Sequence, residues 1–371
     1  GVSREQIQKA AGLYAKSKAS IFCWAMGVTH HANGVQNIQH IANLAISRGM
    51  LGAEGRGLMP LRGHSNVQGI GSMGVVPELK APFLKAMQDR FNVKLPTRKG
   101  LDTLGCMEAA ASGDIRLAWC LGGNLWGSNP DHAFAARAMS SIDTVVHLNT
   151  TLNPGHVHGR GRHTIVFPVL ARDEEPQSST QESMFNYVRV SDGGSPRHDG
   201  PRAESQVISE IAQQVMDESS PVDWKEMGDH AAIRRAIAAV VPGYASIADV
   251  DHQEKPEDKE FQIDGRTFHK PFFKTPTQRA VVHPLIPDSP AAIEDDQVRL
   301  MTIRSEGQFN TVVYEEHDFY RGQDRRDIIM MNEQDLRRMN IQTDDRIMVS
   351  TETGRMEVVA RAFDLPPGNA A

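Results

Sequence analysis

A chain of 371 residues that is 40% hydrophobic is globular and long enough to bury two or three ordinary cores, which excludes a disordered tail or linker. With 40 Lys and Arg against 46 Asp and Glu the net charge is -6, and a surface without basic excess excludes general binding to nucleic acid, which works by displacing counterions from phosphates. No run approaches the roughly 18 to 20 apolar residues that span a bilayer, so no membrane span is expected. A cytoplasmic location is expected, although the chain opens at Gly1 and not Met, so the missing charged-then-apolar signal segment says little about the original N-terminus.

In chain order, Ser3 with Gln6 three positions on makes a capping box, and Ile7, Ala10, Ala11 and Tyr14 follow at helical spacing, predicting a helix over 3–16. The stretch SIFCWAMGV, Ser20 to Val28, is apolar almost throughout, as in a parallel strand covered on both faces. A helix over 35–48 would turn Val35, Ile38, Ala42, Ala45 and Ile46 inward. Two glycine-rich turns, GAEGRG and RGHSNVQGIGSMG, precede helical segments near 79–92 and 102–112. IRLAWCLGGN reads as a second buried strand, 131–140 as a helix and DTVVHLNTT as a third strand. This alternation predicts a doubly wound α/β domain with a parallel sheet, whose ligands sit beyond the carboxyl ends of the strands. Those ends are Gly27 to His31, Gly122 to Ser128 and Asn149 to Thr151. Residues 153–200 read as irregular apart from TIVFPVL, and helices return over 203–217 and 229–240. A polar, proline-dotted stretch from Pro242 to Pro290 reads as a connection. Beyond it VRLMTIRS, NTVVY, DIIMMN and DRIMVSTETGRMEVVARAF predict a small β domain, giving a plan of 1–241, a linker over 242–295, and 296–371.

Gly69, Gly71 and Gly74 match the G-x-G-x-x-G spacing of a dinucleotide loop, but the residues before them, Gly-His-Ser-Asn-Val-Gln, are polar where a strand should lead in. NAD binding is therefore not expected. Glycines still let backbone N–H groups approach an anion, and Arg56 and Arg62 offer planar forks for phosphate or carboxylate. His156, His158 and His163 share a loop with Arg160 and Arg162, whose charge opposes a dication, so no metal site is assigned there. His30 and His31 follow a strand end and read as structural. Cys23, Cys106 and Cys120 lie in apolar settings without a C-x-x-C pair and read as buried core thiols. No G-x-S-x-G elbow supports serine hydrolase chemistry.

Five segments in order carry a resemblance: CWAMGVTHHANGVQNIQHIANLAISRGMLGAEGRGLMPLRGHSNVQGIGSMG, LGGNLWGSNPD, ESMFNYVRVSDGG, PRAESQVISEIA and RSEGQFNTVVYEEHDFYRGQDRR. Together they resemble the molybdopterin oxidoreductase family, formate dehydrogenase-like catalytic subunits in particular. The last 44 residues, from IIMMNEQDL onward, are similar to that family's dinucleotide-binding β-barrel, of double-psi type. The resemblance implies a bis-molybdopterin guanine dinucleotide cofactor with molybdenum or tungsten. It places Gly63, Asn66, Gln68 and Gly69 against the cofactor, Gly122, Gly123, Asn124, Ser128, Asn149 and Thr150 at its nucleotide end, and Gly307, Gln308, Asn310 and Thr311 at the pterin from the barrel side. Arg62 takes the position that fixes a small oxyanion such as formate. His64 departs from the glutamine common in formate dehydrogenases, and either relays a proton or hydrogen-bonds the pterin.

By the same resemblance the chain is a central-to-C-terminal portion of a longer enzyme, with a [4Fe-4S] cluster and the metal-ligating side chain upstream and an electron-transfer partner beyond. None of this chain's own residues is assigned to the metal. A non-catalytic homologue that keeps the fold without a working metal centre is the alternative expectation.

Overall fold

The computed structural model describes residues 2–264, 268–284, 286, 292–304 and 317–371. Helix α1 (Arg4–Lys16) begins at Ser3, whose hydroxyl accepts from the Gln6 main-chain N–H at 3.2 Å while the Gln6 side-chain Oε1 accepts from the Ser3 N–H at 2.9 Å, the reciprocal capping box read from the sequence. It leads into β1 (Ile21–Trp24), which pairs in parallel with β2 (Gly57–Pro60) after helix α2 (Gly34–Ser47). The expected strand over 20–28 stops early because Met26–Val28 coil into a 3-10 turn, and β1 alternates exposed with half-buried positions instead of being covered on both faces. Val35 is 72% exposed, not inward. The buried edge of α2 at that end is Gly34, whose Cα lies so close to the Thr29 carbonyl that a Cβ would approach its oxygen to 2.2 Å, and Val35 is turned about 100° away from that edge.

Helix α3 (Val67–Ser72) contains Gly69 and Gly71 themselves, so the glycines lie inside a helix and not between a strand and a helix. Helices α4 (Ala81–Phe91) and α5 (Thr103–Ala111) follow where expected, α5 capped by Asp102, whose Oδ1 accepts from the Gly105 N–H at 2.9 Å. The second parallel sheet is built from β3 (Leu117–Leu121), β4 (Thr144–Asn149) and β5 (His163–Pro168), in that spatial order. Helix α6 (His132–Ser140) and the single turn α7 (Gly155–His158) make the crossovers. Of these three strands only β4 is buried, from Val145 to Asn149, with Thr144 half-buried. Val145 packs on Met107, Ala135, Ala138 and Met139 of α5 and α6, while Val146 and Leu148 pack the other way against Val169 and Val207, the latter on α8 (Glu204–Val215). The parallel strands thus form two sheets, and the apolar β3 is an edge strand with Leu117 and Leu121 exposed.

A third core was not foreseen. β6 (Ser179–Glu182), β7 (Tyr187–Ser191) and β8 (Glu260–Gln262) form an antiparallel sheet, and Tyr244, Ile247, Val250 and Ile263 are buried with Val188, Val240 and Val241, against α4 and α9 (His230–Val240). The first part of the stretch expected to be a linker, 242–264, is therefore packed into this core.

The C-terminal part is a five-stranded sheet of order β11-β12-β10-β13-β9, where β9 is Arg299–Leu300, β10 Ile328–Met331, β11 Arg346–Ser350, β12 Arg355–Ala362 and β13 Asn369–Ala370. β10 runs parallel to β12, and β13 parallel to β9, with the other pairings antiparallel. Helix α10 (Glu333–Arg338) covers Ile329, Met331 and Ala360 through Leu336. Among the described residues no helix is long and apolar enough to cross a membrane.

Candidate functional site

The Arg62 loop is held from below. Asn66 adopts the left-handed conformation at φ 62°, which asparagine tolerates, and this turns the chain into α3. Its side-chain oxygen accepts from the Glu182 backbone N–H at 2.9 Å and sits so close over Gly69 that a Cβ there would come within 2.0 Å of it. Only glycine fits beneath that amide. The Gln68 Oε1 accepts from Arg62 Nη2 at 3.0 Å, which orients the guanidinium, while Arg62, Gly63 and His64 remain exposed. Underneath, Glu182 is 3% exposed, and its Oε2 accepts from the Ser72 hydroxyl at 2.6 Å and from the Tyr244 hydroxyl.

The second locus lies at the carboxyl ends of β3 and β4, as expected for a parallel sheet. Gly122 and Gly123 are both left-handed, at φ 70° and 72°, and a Cβ on either would meet nothing within 4 Å. The Gly122 N–H donates to the Leu148 carbonyl at 2.8 Å, so what the turn offers a ligand is close backbone approach over two residues without side chains. The Gly123 carbonyl accepts from Asn149 Nδ2 and Asn153 Nδ2, both at 3.0 Å, which ties β3 to the end of β4. Asn124 folds inward, its Oδ1 accepting from the Gly127 N–H at 2.8 Å, and Ser128 donates to the Leu125 carbonyl at 3.2 Å. Thr150 is exposed, whereas Asn149 is 8% exposed and its buried Oδ1 has no hydrogen-bond partner in the protein. An unsatisfied buried oxygen beside an open glycine pair fits a ligand with polar groups and close backbone approach, such as a nucleotide.

Of the expected site residues, Arg62, Gly63, His64, Asn66, Gln68 and Gly69 share one loop, and Gly122, Gly123, Asn124, Ser128, Asn149 and Thr150 share the strand ends. Asn66, Gln68 and Asn124 spend side-chain groups on the protein itself, which makes them supports of the loops. Gly307, Gln308, Asn310 and Thr311 lie outside the described residues. Sequence reasoning missed Glu182, Tyr244, Ser72 and Asn153. It also missed His147, and it had read His156 only as one of the loop histidines; their rings pack at 4.8 Å with both Nε2 atoms buried and unpartnered in the protein. Burial holds both imidazoles below the usual histidine range, and His156 adds to the effect at His147.

In the loop that follows β3, Trp126 lies between His132 of α6 and His158 of α7 at ring distances of 4.5 and 4.7 Å. At the amino ends of the strands, Arg162 lies 3.7 Å from Asp143, which also pairs with Arg116 at 2.9 Å. Among the described residues no group of three or more metal-ligating side chains comes together. The cysteines are not all core thiols: Cys23 is exposed, because β1 is open on one side, while Cys106 and Cys120 are half-buried, and burial pushes the Cys120 thiol up.

Comparison with known proteins adds the following. Residues 10–155 match the family model of the molybdopterin oxidoreductases, and residues 298–371 that of the molydopterin dinucleotide binding domain. An uncharacterized oxidoreductase of Mycobacterium tuberculosis is 33% identical over all of this chain and 49% of its own length. Protein YdeP of Escherichia coli K12 is 30% identical over 94% of this chain and 46% of its own length. Formate dehydrogenase H of the same organism is 30% identical over 39% of this chain and 22% of its own. The acetylene hydratase of Pelobacter acetylenicus shares the fold at TM-score 0.66 and 15% identity, covering 100% of this chain and 55% of that one. The chain spans about half the length of the first two relatives.

Proposed function

Because the chain belongs to the molybdopterin oxidoreductase family, with a bis-molybdopterin guanine dinucleotide as cofactor, we propose that it supplies the oxyanion contact and the nucleotide cradle of a formate dehydrogenase-like enzyme. Bound in place, that cofactor supplies a molybdenum or tungsten centre that exchanges two electrons. The chain's own residues supply binding and orientation. Arg62 presents a planar fork suited to a carboxylate. Its neighbour His64 presents an imidazole able to hold or pass a proton, or to donate a hydrogen bond to the pterin. The Gly122–Gly123 turn and Asn149 receive the nucleotide, and Gly307, Gln308, Asn310 and Thr311, outside the described residues, are assigned to the pterin by the resemblance alone.

The observation that carries this reading is the placement of Arg62: an exposed guanidinium on a loop whose backbone is fixed by buried groups, inside residues 10–155, which match the molybdopterin oxidoreductase family model. In this reading the α/β part is 1–241, with 242–264 packed on its last core, the C-terminal part, 296–371, belongs to a double-psi barrel, and an iron–sulfur cluster and an electron-transfer partner complete the whole enzyme. The test uses the complete protein expressed with cofactor synthesis intact. Two guanine nucleotides per Mo or W atom are expected, and Arg62→Ala should abolish formate turnover while leaving metal and nucleotide content unchanged. Undiminished turnover removes Arg62 from the reaction. Absence of both metal and nucleotide overturns the catalytic reading.

A further inference from the structure

We infer that Glu182, at the end of β6, is the positioning residue of the Arg62 loop. Helix α3 has six residues, two of them glycine, and so cannot be stable alone. Glu182 holds it at both ends. Its main-chain N–H donates to Asn66 at the entrance of the helix, and its carboxylate accepts from Ser72, the last helical residue. Gln68, between these two anchors, is the residue that receives the Arg62 guanidinium. The carboxylate is in turn fixed by Tyr244, 1% exposed, within the core that also takes up Met73 and Phe83. A path of direct contacts therefore runs from a hydrophobic core through Glu182 and α3 to the exposed cation.

Strand β6 is the right place for such an anchor. Its pairing with β7 sets Glu182 opposite Val188, a residue of the same core, so the carboxylate cannot shift without moving the sheet. A polar group enclosed on all sides holds its partners more strictly than one that water can serve instead.

The inference rests on the reading of Arg62 as the oxyanion contact, and the experiment separates the two. In the cofactor-loaded full-length protein, Glu182→Leu removes the acceptor, Glu182→Gln keeps one carbonyl oxygen, and Tyr244→Phe removes one donor while leaving the core filled. Amide hydrogen exchange over 62–72 is expected to quicken roughly tenfold in Glu182→Leu, the size a lost hydrogen bond of ordinary strength gives, with exchange over 144–149 unchanged. Glu182→Gln should restore most of the protection, and Tyr244→Phe should fall between. The formate KM should rise more than kcat falls. Unchanged exchange over 62–72 in both Glu182→Leu and Tyr244→Phe overturns the inference, as does equal loosening of 144–149. If Glu182→Leu does not fold, Tyr244→Phe against Glu182→Gln decides by the same exchange pattern. Arg62→Ala run alongside isolates the parent reading: a formate KM unmoved by it removes Arg62 as the contact, while the exchange data still judge Glu182.

Discussion

Single residues at the strand ends do two different jobs, and glycine separates them. Gly155 opens α7 with Asn124 Oδ1 so near that a Cβ would come to 2.3 Å, so Gly155→Ala must push aside an amide that also caps the Gly127 N–H. A clash of that kind costs about 1–3 kcal/mol. Gly123 has open space where its Cβ would stand, and the cost of Gly123→Ala is only that of the left-handed backbone, about 1–2 kcal/mol. The methyl would occupy the space offered to the nucleotide. Gly155→Ala should therefore lower the denaturation midpoint more than Gly123→Ala, whereas Gly123→Ala should lose more bound guanine nucleotide. Denaturant titration and nucleotide assay of the two purified variants check this, and full nucleotide content in Gly123→Ala would move the cradle elsewhere.

At the scale of elements, the helix starts carry local stability that can be measured one at a time. Asp131 accepts from the Phe134 N–H at 2.8 Å and opens α6, whose Ala135, Ala138 and Met139 cover one face of β4. Asp131→Ala should cost about 1 kcal/mol, read by urea unfolding, and a change below a few tenths would show that packing alone holds that end. The start of α1 was legible in the sequence as a capping box, since a capping side chain acts on residues three positions away, while the starts of α5 and α6 were legible only as the edges of helical ranges. Also legible were α2, α4, α5, α8, α9 and β4, whose apolar positions recur with a helix or strand period. The elements that were not legible depend on distant partners. β6 is the polar run Ser-Thr-Gln-Glu and becomes a strand only by pairing with β7, which pairs in turn with β8 some seventy residues on. Helix α3 was hidden by its own glycines, and nothing local marks Glu182 as buried.

At the scale of the whole molecule, stability responds to pH through buried titratable groups. His147 lies 4% exposed on the central strand, and burial, followed by the charge of His156, holds its pKa below the usual value. The sign follows from proton uptake. The unfolded chain binds a proton at this histidine near pH 6.5, and the folded chain does so only at lower pH, so stability falls as pH drops through about 6.5. Glu204 and Glu175 oppose it: burial raises both carboxyls, so the stability they contribute is present at low pH and is lost as pH rises through their folded values. A variant distinguishes the two contributions. His147→Gln removes the titrating ring while leaving a polar side chain, and its unfolding free energy, measured by urea titration at intervals from pH 8 to 5.5, should decline less steeply than that of the parent protein. Parallel curves would mean that His147 takes up its proton without resistance, and that the sheet end around Asn149 opens readily to water.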